Sequence, residues 1–491
     1  MRSAGILMPI FSLPSNYGIG TLGKEAYKFV DFLKDAGQTY WQILPIGPTS
    51  FGDSPYSSFS IYAGNPYFID LDILIDEGLL NKEDVKIFNS KIHDIDYEFL
   101  FNNRIKVLEK AFRRFNTNDS CDFESFKTDN INWLEDYALF MAIKDHFNMK
   151  SWSEWPDNNI RLRKSEAMKE YKTLLKDKIE FYIFIQYLFY KQFYKLKEYA
   201  NINDIRIIGD IPIYVPLDSS DCWSNPENFL LDENYIPEEV SGVPPDYFSE
   251  NGQLWGNPIY NWESMKANGY KWWIDRIGHS SKIYDVIRID HFRGFESYWS
   301  VPYGEKTAKN GKWVKGPNMD LLDKLKGWFK DVEFIAEDLG YHTSEVQNML
   351  DNFGFPGMKV LQFSFDSRDS DGTEPYNYPE NSICYVGTHD NSTALGFLKT
   401  ANKEDIKYCK EYLNIQSNKN FNWYLIKGGM ESNSKVFICQ MQDYLGLDDK
   451  ARINIPSTIG NNWMWRMSAD AITEKLIKRI RKYTKMYGRG Q

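Results

Sequence analysis

Short runs of nearly uninterrupted apolar residues recur along this chain, and several stop at a polar or charged residue shortly before a helical pattern begins. Residues 5–10 precede a helix expected over 24–36. Residues 40–46 follow, with Trp41, Ile43 and Leu44 apolar, and then come 205–215, 286–292, 334–339, 358–363 and 382–389. A strand that is apolar on both faces must be covered on both faces, which alternating helices do for a parallel sheet. These seven runs, with an eighth placed near 452–455, predict an α/β fold of the (β/α)8 (TIM) barrel type, in which chemistry sits at the carboxyl ends of the strands.

The spacing between the runs is uneven. About 160 residues separate Ile46 from Ile205, far more than one barrel helix needs. Helical patterns fill much of that stretch, at 101–115, 133–147 and 164–199, so 47–204 is expected to be a mainly helical inserted subdomain. A second insertion, 216–281, is rich in Pro, Gly, Asn and aromatic residues, the composition of an ordered active-site loop region. No internal repeat, low-complexity tract or linker separates these pieces, and residues 1–491 are read as a single catalytic barrel carrying both insertions.

Composition narrows the partners. The net charge is −10 with no basic stripe, so no nucleic acid is expected, because phosphate contacts need clustered Lys and Arg. The five cysteines, Cys121, Cys222, Cys384, Cys409 and Cys439, are scattered without C-x-x-C spacing. That pattern fits reduced thiols in a cytoplasmic protein, not a disulfide framework or a zinc site. The first apolar run is interrupted by Pro9 and lacks a cleavage signature, and the longest, 181–190, falls well short of the ~20 residues that span a bilayer. No membrane partner is expected. Aromatic residues make up 16% of the chain, which suits either core packing or a long cleft whose rings stack on sugar faces; both readings stay open. The segment Gly18-Ile-Gly20-Thr-Leu-Gly23 matches the dinucleotide fingerprint, yet it does not turn straight out of the first strand, and no acidic residue closes the second. It reads as a glycine loop at the barrel mouth, not as a nucleotide site.

The strand ends carry the chemistry. The third run reads Gly-Asp210-Ile-Pro212-Ile-Tyr214, the fourth Arg288-Ile-Asp290-His291-Phe-Arg293, the fifth Ala-Glu337-Asp338-Leu-Gly340 and the seventh Thr-His389-Asp390-Asn391. A single Asp in such a place is usually a cap or a turn former. Four such ends, with Arg and His beside the carboxylates, form a constellation. Glycosidic cleavage needs these residue types, since it passes through an oxocarbenium-like state between two carboxyl groups, one ionised to attack the anomeric carbon and one protonated for the leaving oxygen. Arg288 shares a strand face with Asp290, because the strand period is two, and is expected to favour its charged form. Glu337 has no cation within its own strand, and nearby anions are expected to keep it protonated near neutrality. Asp390, flanked by His389, is left to hydrogen-bond sugar hydroxyls as the ring distorts. No strand end shows a dense oxygen cage or a His/Cys cluster, and the first lacks His-x-His, so neither a metal nor another cofactor is expected.

Arg-x-Asp-His at 288–291, Ala-Glu-Asp-Leu-Gly at 336–340 and Thr-His-Asp-Asn at 388–391 resemble the strand-end motifs of the α-amylase clan. Further stretches resemble one branch of it, the 4-α-glucanotransferases (amylomaltase, or disproportionating enzyme). These are Gly52-Asp-Ser54-Pro-Tyr56 and Ala63-Gly-Asn65-Pro, Gly209-Asp210-Ile-Pro-Ile-Tyr-Val, Gly242-Val-Pro-Pro-Asp-Tyr-Phe-Ser, Gly252-Gln253-Leu-Trp255-Gly-Asn257-Pro-Ile-Tyr260 and Asn462-Trp463-x-Trp465-Arg466. The resemblance covers nearly the whole chain. It implies a retaining barrel enzyme without a separate C-terminal β-domain, acting on α-1,4-glucans and maltooligosaccharides as donor and acceptor. By motif position it implies Asp290 as nucleophile, Glu337 as general acid/base and Asp390 as transition-state stabiliser. Around the sugar it implies Ser54, Tyr56, Asp210, Gln253, Trp255, Arg288, His291, Asp338 and His389. Two positions depart from the family pattern: Phe51, where some members carry a Tyr linked to a more remote glucan site, and Ser457, which follows Pro456 where Gly is expected.

Two other functions compete with glucan transfer: a hydrolase of the same clan, and a catalytically silent glucan-binding protein. Intact Asp290, Glu337 and Asp390 argue against silence. Within 244–260, Tyr247, Phe248, Trp255 and Tyr260 are expected to wall the sugar site, with Trp255 as a stacking platform. Such a wall favours transfer over hydrolysis by holding an acceptor and excluding water. The alternative is a packed cover for the barrel mouth.

Overall fold

The computed structural model describes residues 2–50, 52–88, 94–116, 121–245, 249–340, 343–368 and 374–490. Phe51, Tyr247 and Phe248 lie outside the described residues. The strands found are β1 (Ser3–Leu7), β2 (Tyr40–Gln42), β3 (Arg206–Ile211), β4 (Glu239–Val243), β5 (Gln253–Pro258), β6 (Val286–Ile289), β7 (Ser297–Pro302), β8 (Lys312–Lys315), β9 (Glu333–Ala336), β10 (Gly357–Val360), β11 (Ser382–Tyr385) and β12 (Val436–Gln440). Eight of them close a parallel barrel in the order β1-β12-β11-β10-β9-β6-β3-β2. Strands successive in the barrel's chain order are neighbours all the way round, the (β/α)8 topology that the apolar runs imply.

The alternation of side chains explains why both faces of each strand are apolar. Ile208, Val286, Ile335, Val360, Ile383 and Ile438 meet on the barrel axis. Ile207, Ile287, Ile289, Phe334, Cys384 and Phe437 face the outer layer and join the main core. Burying such a residue contributes about 1.5–3 kcal/mol, so a one-residue slip of register would exchange two packed faces at once. Continuing the inward parity of Ile208 and Val286 along their strands brings Asp210, Arg288 and Asp290 toward the axis at the carboxyl end.

The eighth strand is not at 452–455. It is β12, Val-Phe-Ile-Cys-Gln, buried throughout and following the helix Phe421–Glu431. The reason is in the pattern. Residues 436–440 are apolar on both faces, as a barrel strand requires, whereas Arg452-Ile-Asn454-Ile alternates and runs into Pro456 in a loop. The other seven runs all begin close to a strand but overshoot it. The run 205–215 is a strand only over Arg206–Ile211, and 40–46 only over Tyr40–Gln42. Apolar side chains continue into the loops there because those loops are also packed on the core.

Between β2 and β3 the main helices are Tyr97–Arg114, Leu134–His146, Ser165–Leu174 and Lys176–Ile202. The single helix expected over 164–199 is therefore two, parted at Leu175. The middle of Lys176–Ile202, residues 181–190, is buried on every face because the helix packs against Leu134–His146 as well as against Lys24–Asp35 and β3. The region 216–281 is more regular than its loop-like composition indicates. It contributes β4 and β5 to an antiparallel sheet of order β5-β4-β7-β8, and it ends in Lys271–Ile283, a helix packed against β6. The strand β5 escapes a pattern reading because it is half exposed and contains Gly256 and Pro258.

The glycine loop is closed by the protein itself. A Cβ on Gly20 would stand 1.8 Å from Ile10 O, and one on Gly23 would stand 2.0 Å from Asp70 Oδ2. Asp70 fills the start of the helix Lys24–Asp35, with Thr21 Oγ1 donating to it at 2.6 Å, so a phosphate would meet a carboxylate there. All five cysteines are free thiols. Among the described residues no helix is long and apolar enough to cross a membrane, and no three His, Cys, Asp or Glu side chains gather as metal ligands.

Candidate active site

Asp210 is the penultimate residue of β3, Asp290 follows β6, Glu337 follows β9, and Asp390 lies five residues past the end of β11. Arg288 joins the first two. Its Nη1 donates to Asp210 Oδ1 at 2.5 Å and Oδ2 at 2.6 Å, and lies 3.0 Å from Asp290 Oδ1. Arg288 and Asp210 are almost wholly buried, whereas the Asp290 side chain keeps 30% of its exposure. Tyr56 enters from the loop after β2 and donates its hydroxyl to Asp210 Oδ2 at 2.8 Å. Its ring stacks on His389 at 5.1 Å between centroids.

Arg288 contacts Asp290, but it spends most of its hydrogen-bonding on Asp210. Burial therefore prevails at Asp290 and pushes its carboxyl up to about 6 against the pull of Arg288. Glu337 is pushed further, to about 8, by burial and by the negative charge of Asp290. Its two oxygens accept from the backbone N–H groups of His291 and Leu339, each at 2.8 Å. His291 can offer its N–H this way because its backbone is left-handed, at φ 51°. Between the two pKa values, one carboxyl of the pair is ionised and the other protonated, the division of labour that acid-assisted nucleophilic attack requires.

Asp390 behaves differently. Burial raises its carboxyl, but His389 at 3.4 Å and the amide of Asn454 at 2.6 Å outweigh that and hold it at about 2. Burial opposes the charge of His389, and Asp390 restores it, leaving His389 above its ordinary value. His291 is held neutral, down to about 3, by burial and by Arg293.

Trp255 on β5 is 38% exposed. Its ring meets His291 edge-on at 4.8 Å, and its indole N–H donates to Gln253 Oε1 at 3.2 Å. Tyr260 is not part of an open wall: it is buried, stacked on Tyr214, and donates to Ile213 O at 2.7 Å. A Tyr two residues past the end of β5 turns inward because its hydroxyl finds a backbone acceptor there. Two more expected residues stand a step back. Ser54 Oγ accepts from the Tyr56 backbone N–H at 3.3 Å, and Asp338 Oδ1 accepts from Met358 N on β10 at 2.6 Å. Both shape the backbone on which contacting residues sit.

Three further residues stand at the site, of which Arg452 and Asn454 carry no local signal in the sequence and Trp463 shows there only within a family motif. Arg452 and Asn454, in the segment mistaken for a strand, hydrogen-bond Asp390. Trp463, at φ 65°, lies 5.9 Å from the Tyr56 ring and 6.0 Å from the His389 ring. An aromatic residue in the left-handed region is strained, and Trp463 is held there by its N–H to Ile453 O at 2.7 Å and by Tyr97 OH donating to Trp463 O at 2.9 Å.

Comparison with known proteins identifies the family. A family profile described as 4-alpha-glucanotransferase, glycoside hydrolase family 77, matches residues 8–472. A 4-alpha-glucanotransferase of Clostridium butyricum is 51% identical over 486 residues, 98% of this chain and 100% of the relative. One of Aquifex aeolicus is 45% identical over 492 residues, 100% of both chains. Among solved structures, an amylomaltase from Streptococcus agalactiae in complex with acarbose superposes with a TM-score of 0.97 at 42% identity, covering 100% of both chains. An amylomaltase from Corynebacterium glutamicum, at 17% identity and a TM-score of 0.81 over 98% of this chain and 75% of that one, shares the fold. With a closed parallel barrel and a carboxylate cluster at its strand ends, the chain belongs to the 4-alpha-glucanotransferase family.

Proposed function

We propose that the protein moves α-1,4-glucan segments between maltooligosaccharides by a retaining double displacement at Asp290, Glu337 and Asp390. The observation that carries this reading is the unequal setting of two carboxyls at the ends of adjacent strands β6 and β9, with Glu337 held above Asp290. In the first step an Asp290 oxygen bonds to the anomeric carbon, the glycosidic C–O bond breaks, and Glu337 gives its proton to the departing oxygen. In the second, an acceptor hydroxyl gives its proton to Glu337 and attacks the same carbon, releasing Asp290. Two inversions leave the α configuration. Asp390, ionised and partly exposed, faces the ring as positive charge develops. Arg288, Asp210 and Tyr56 hold the nucleophile's surroundings.

Transfer in place of hydrolysis needs an acceptor bound beside the intermediate, because water stands at ~55 M. Trp255, open to solvent and set against His291, supplies a platform for that acceptor. A cytoplasmic location, with soluble glucans as substrates, is part of this reading and rests on the free, scattered thiols. The test is incubation with maltotriose alone after dialysis against EDTA. Free glucose together with chains longer than maltotriose is expected, at an undiminished rate. Maltose and glucose without longer products would identify a hydrolase, and activity restored only by calcium would reject a metal-free site.

A further inference from the structure

The segment after β12 grips the turn that carries Asp390. Asn454 donates its backbone N–H to His389 O at 3.1 Å and its side-chain Nδ2 to Asp390 Oδ1 at 2.6 Å. Arg452 donates Nη2 to Asp390 O at 2.5 Å and Nη1 to Ser392 Oγ at 3.2 Å. Its Nε donates to Asn454 O at 2.7 Å, which ties the segment to itself. The other Asp390 oxygen, Oδ2, lies 3.4 Å from His389 Nε2, and 43% of the side chain stays exposed. The carboxylate is thus held at both oxygens without being covered.

We propose that Asn454 is a positioning residue for catalysis: its amide sets the plane of the Asp390 carboxylate toward the sugar, while Arg452 anchors the turn beneath it. This rests on the reading of Asp390 as the transition-state stabiliser. The residue type follows from what that role needs. A carboxylate that steadies an oxocarbenium-like carbon must keep its full negative charge and a fixed direction. An amide N–H fixes the direction without adding a second cation to that of His389. A Lys or Arg side chain at the same distance would fix it too, but would offset the field that the sugar is to feel. Consistent with this division, Arg452 directs its guanidinium to the Asp390 backbone carbonyl and not to the carboxylate. The other charged groups facing Asp390 are His389 from its own turn and Arg288 and Asp290 across the barrel mouth.

The experiment compares Asn454→Ala, Asn454→Asp and Asp390→Asn with the unaltered protein on maltotriose between pH 5 and 8, with folding checked by thermal melt. Loss of one hydrogen bond to a charged group should lower kcat roughly 10- to 100-fold for Asn454→Ala, with KM little changed and the loss independent of pH. Asn454→Asp is nearly isosteric and keeps the fold accessible. At pH 8 it sets two carboxylates against each other and should lose at least as much. As pH falls the pair shares one proton, the hydrogen bond re-forms, and its kcat relative to the unaltered protein should rise. Asp390→Asn must be inactive throughout; if it is active, the reading of Asp390 itself fails. If it is inactive while Asn454→Ala keeps kcat, or while the relative kcat of Asn454→Asp does not change with pH, the positioning role is overturned.

Discussion

Asp290 and Asp390 stand at the mouth of one barrel, yet their surroundings drive them in opposite directions, to about 6 and about 2. Asp290 has a guanidinium at 3.0 Å, the stronger partner on paper, but Arg288 is shared with Asp210, which holds it at 2.5 and 2.6 Å. What remains does not offset burial. Asp390 has a neutral amide on one oxygen and an imidazole on the other, and it is the more exposed of the two. A carboxylate's ionisation therefore follows the balance between the water it loses and the charge and donors directed at it: those of His389 act on Asp390, whereas Arg288 is held mainly by Asp210. The same difference divides the work. In the proposed mechanism the less settled carboxylate is the one that forms and breaks a bond, and the settled one keeps its charge throughout the cycle.

The largest effect that can break this comparison is covalent. Asp290→Asn should lower transfer at least roughly 1,000-fold with every donor, because no other group can form the intermediate. Glu337→Gln should be comparably poor on maltotriose but largely spared on an α-glucosyl fluoride, whose leaving group needs little protonation. The first product should carry the α configuration by NMR, with the two carboxyls ~5–5.5 Å apart in a ligand complex. A β-configured first product, or an Asp290→Asn variant active on the fluoride, would remove Asp290 from the nucleophile's role.

A smaller effect is the pH profile. As pH falls through about 6, Asp290 takes up a proton and attack is lost; as pH rises through about 8, Glu337 loses the proton that the leaving oxygen needs. The profile of kcat/KM should therefore be a bell between these values, changing about tenfold per unit on each flank. Glu337→Gln should erase the alkaline flank. If that flank persists in the variant, another group titrates there. Asp390 contributes no flank in the working range, since it is already ionised down to about 2.

The smallest effect concerns the acceptor side. Trp255→Ala removes one open ring, worth on the order of 1–3 kcal/mol, and should lower transfer roughly 5- to 150-fold at ~1.4 kcal/mol per decade while slowing hydrolysis less. Both rates are measured on one oligosaccharide. An unchanged ratio of transfer to hydrolysis in a folded variant would take Trp255 out of acceptor binding.

Much of this is legible in the sequence. The barrel showed in apolar runs with no polar face, because a strand sandwiched between layers has none to show. Arg288, Asp290 and Glu337 stood out because each run breaks at the point where the strand leaves the core for the mouth. The boundaries were less legible. The run 205–215 is sheet only to Ile211, since backbone pairing stops while burial continues. The eighth strand lies at Val436–Gln440 and not at 452–455, and β4 and β5 fall within the loop region expected over 216–281, because a half-exposed edge strand with Gly and Pro has no clean alternation.

By itself, then, the order of residues determined the class of fold, the strand ends at which the candidate carboxyls stand and the face that Asp290 shares with Arg288, because these depend on periods of two residues and on runs of five or six. Only the tertiary structure decided how each carboxyl is set. The partners that tune them come from far along the chain: Arg288 reaches Asp210 across 78 residues, Tyr56 reaches Asp210 across 154, and Asn454 reaches Asp390 across 64. A hydrogen bond is a short-range force between groups that the chain brings together only by folding. No local pattern marks its second partner.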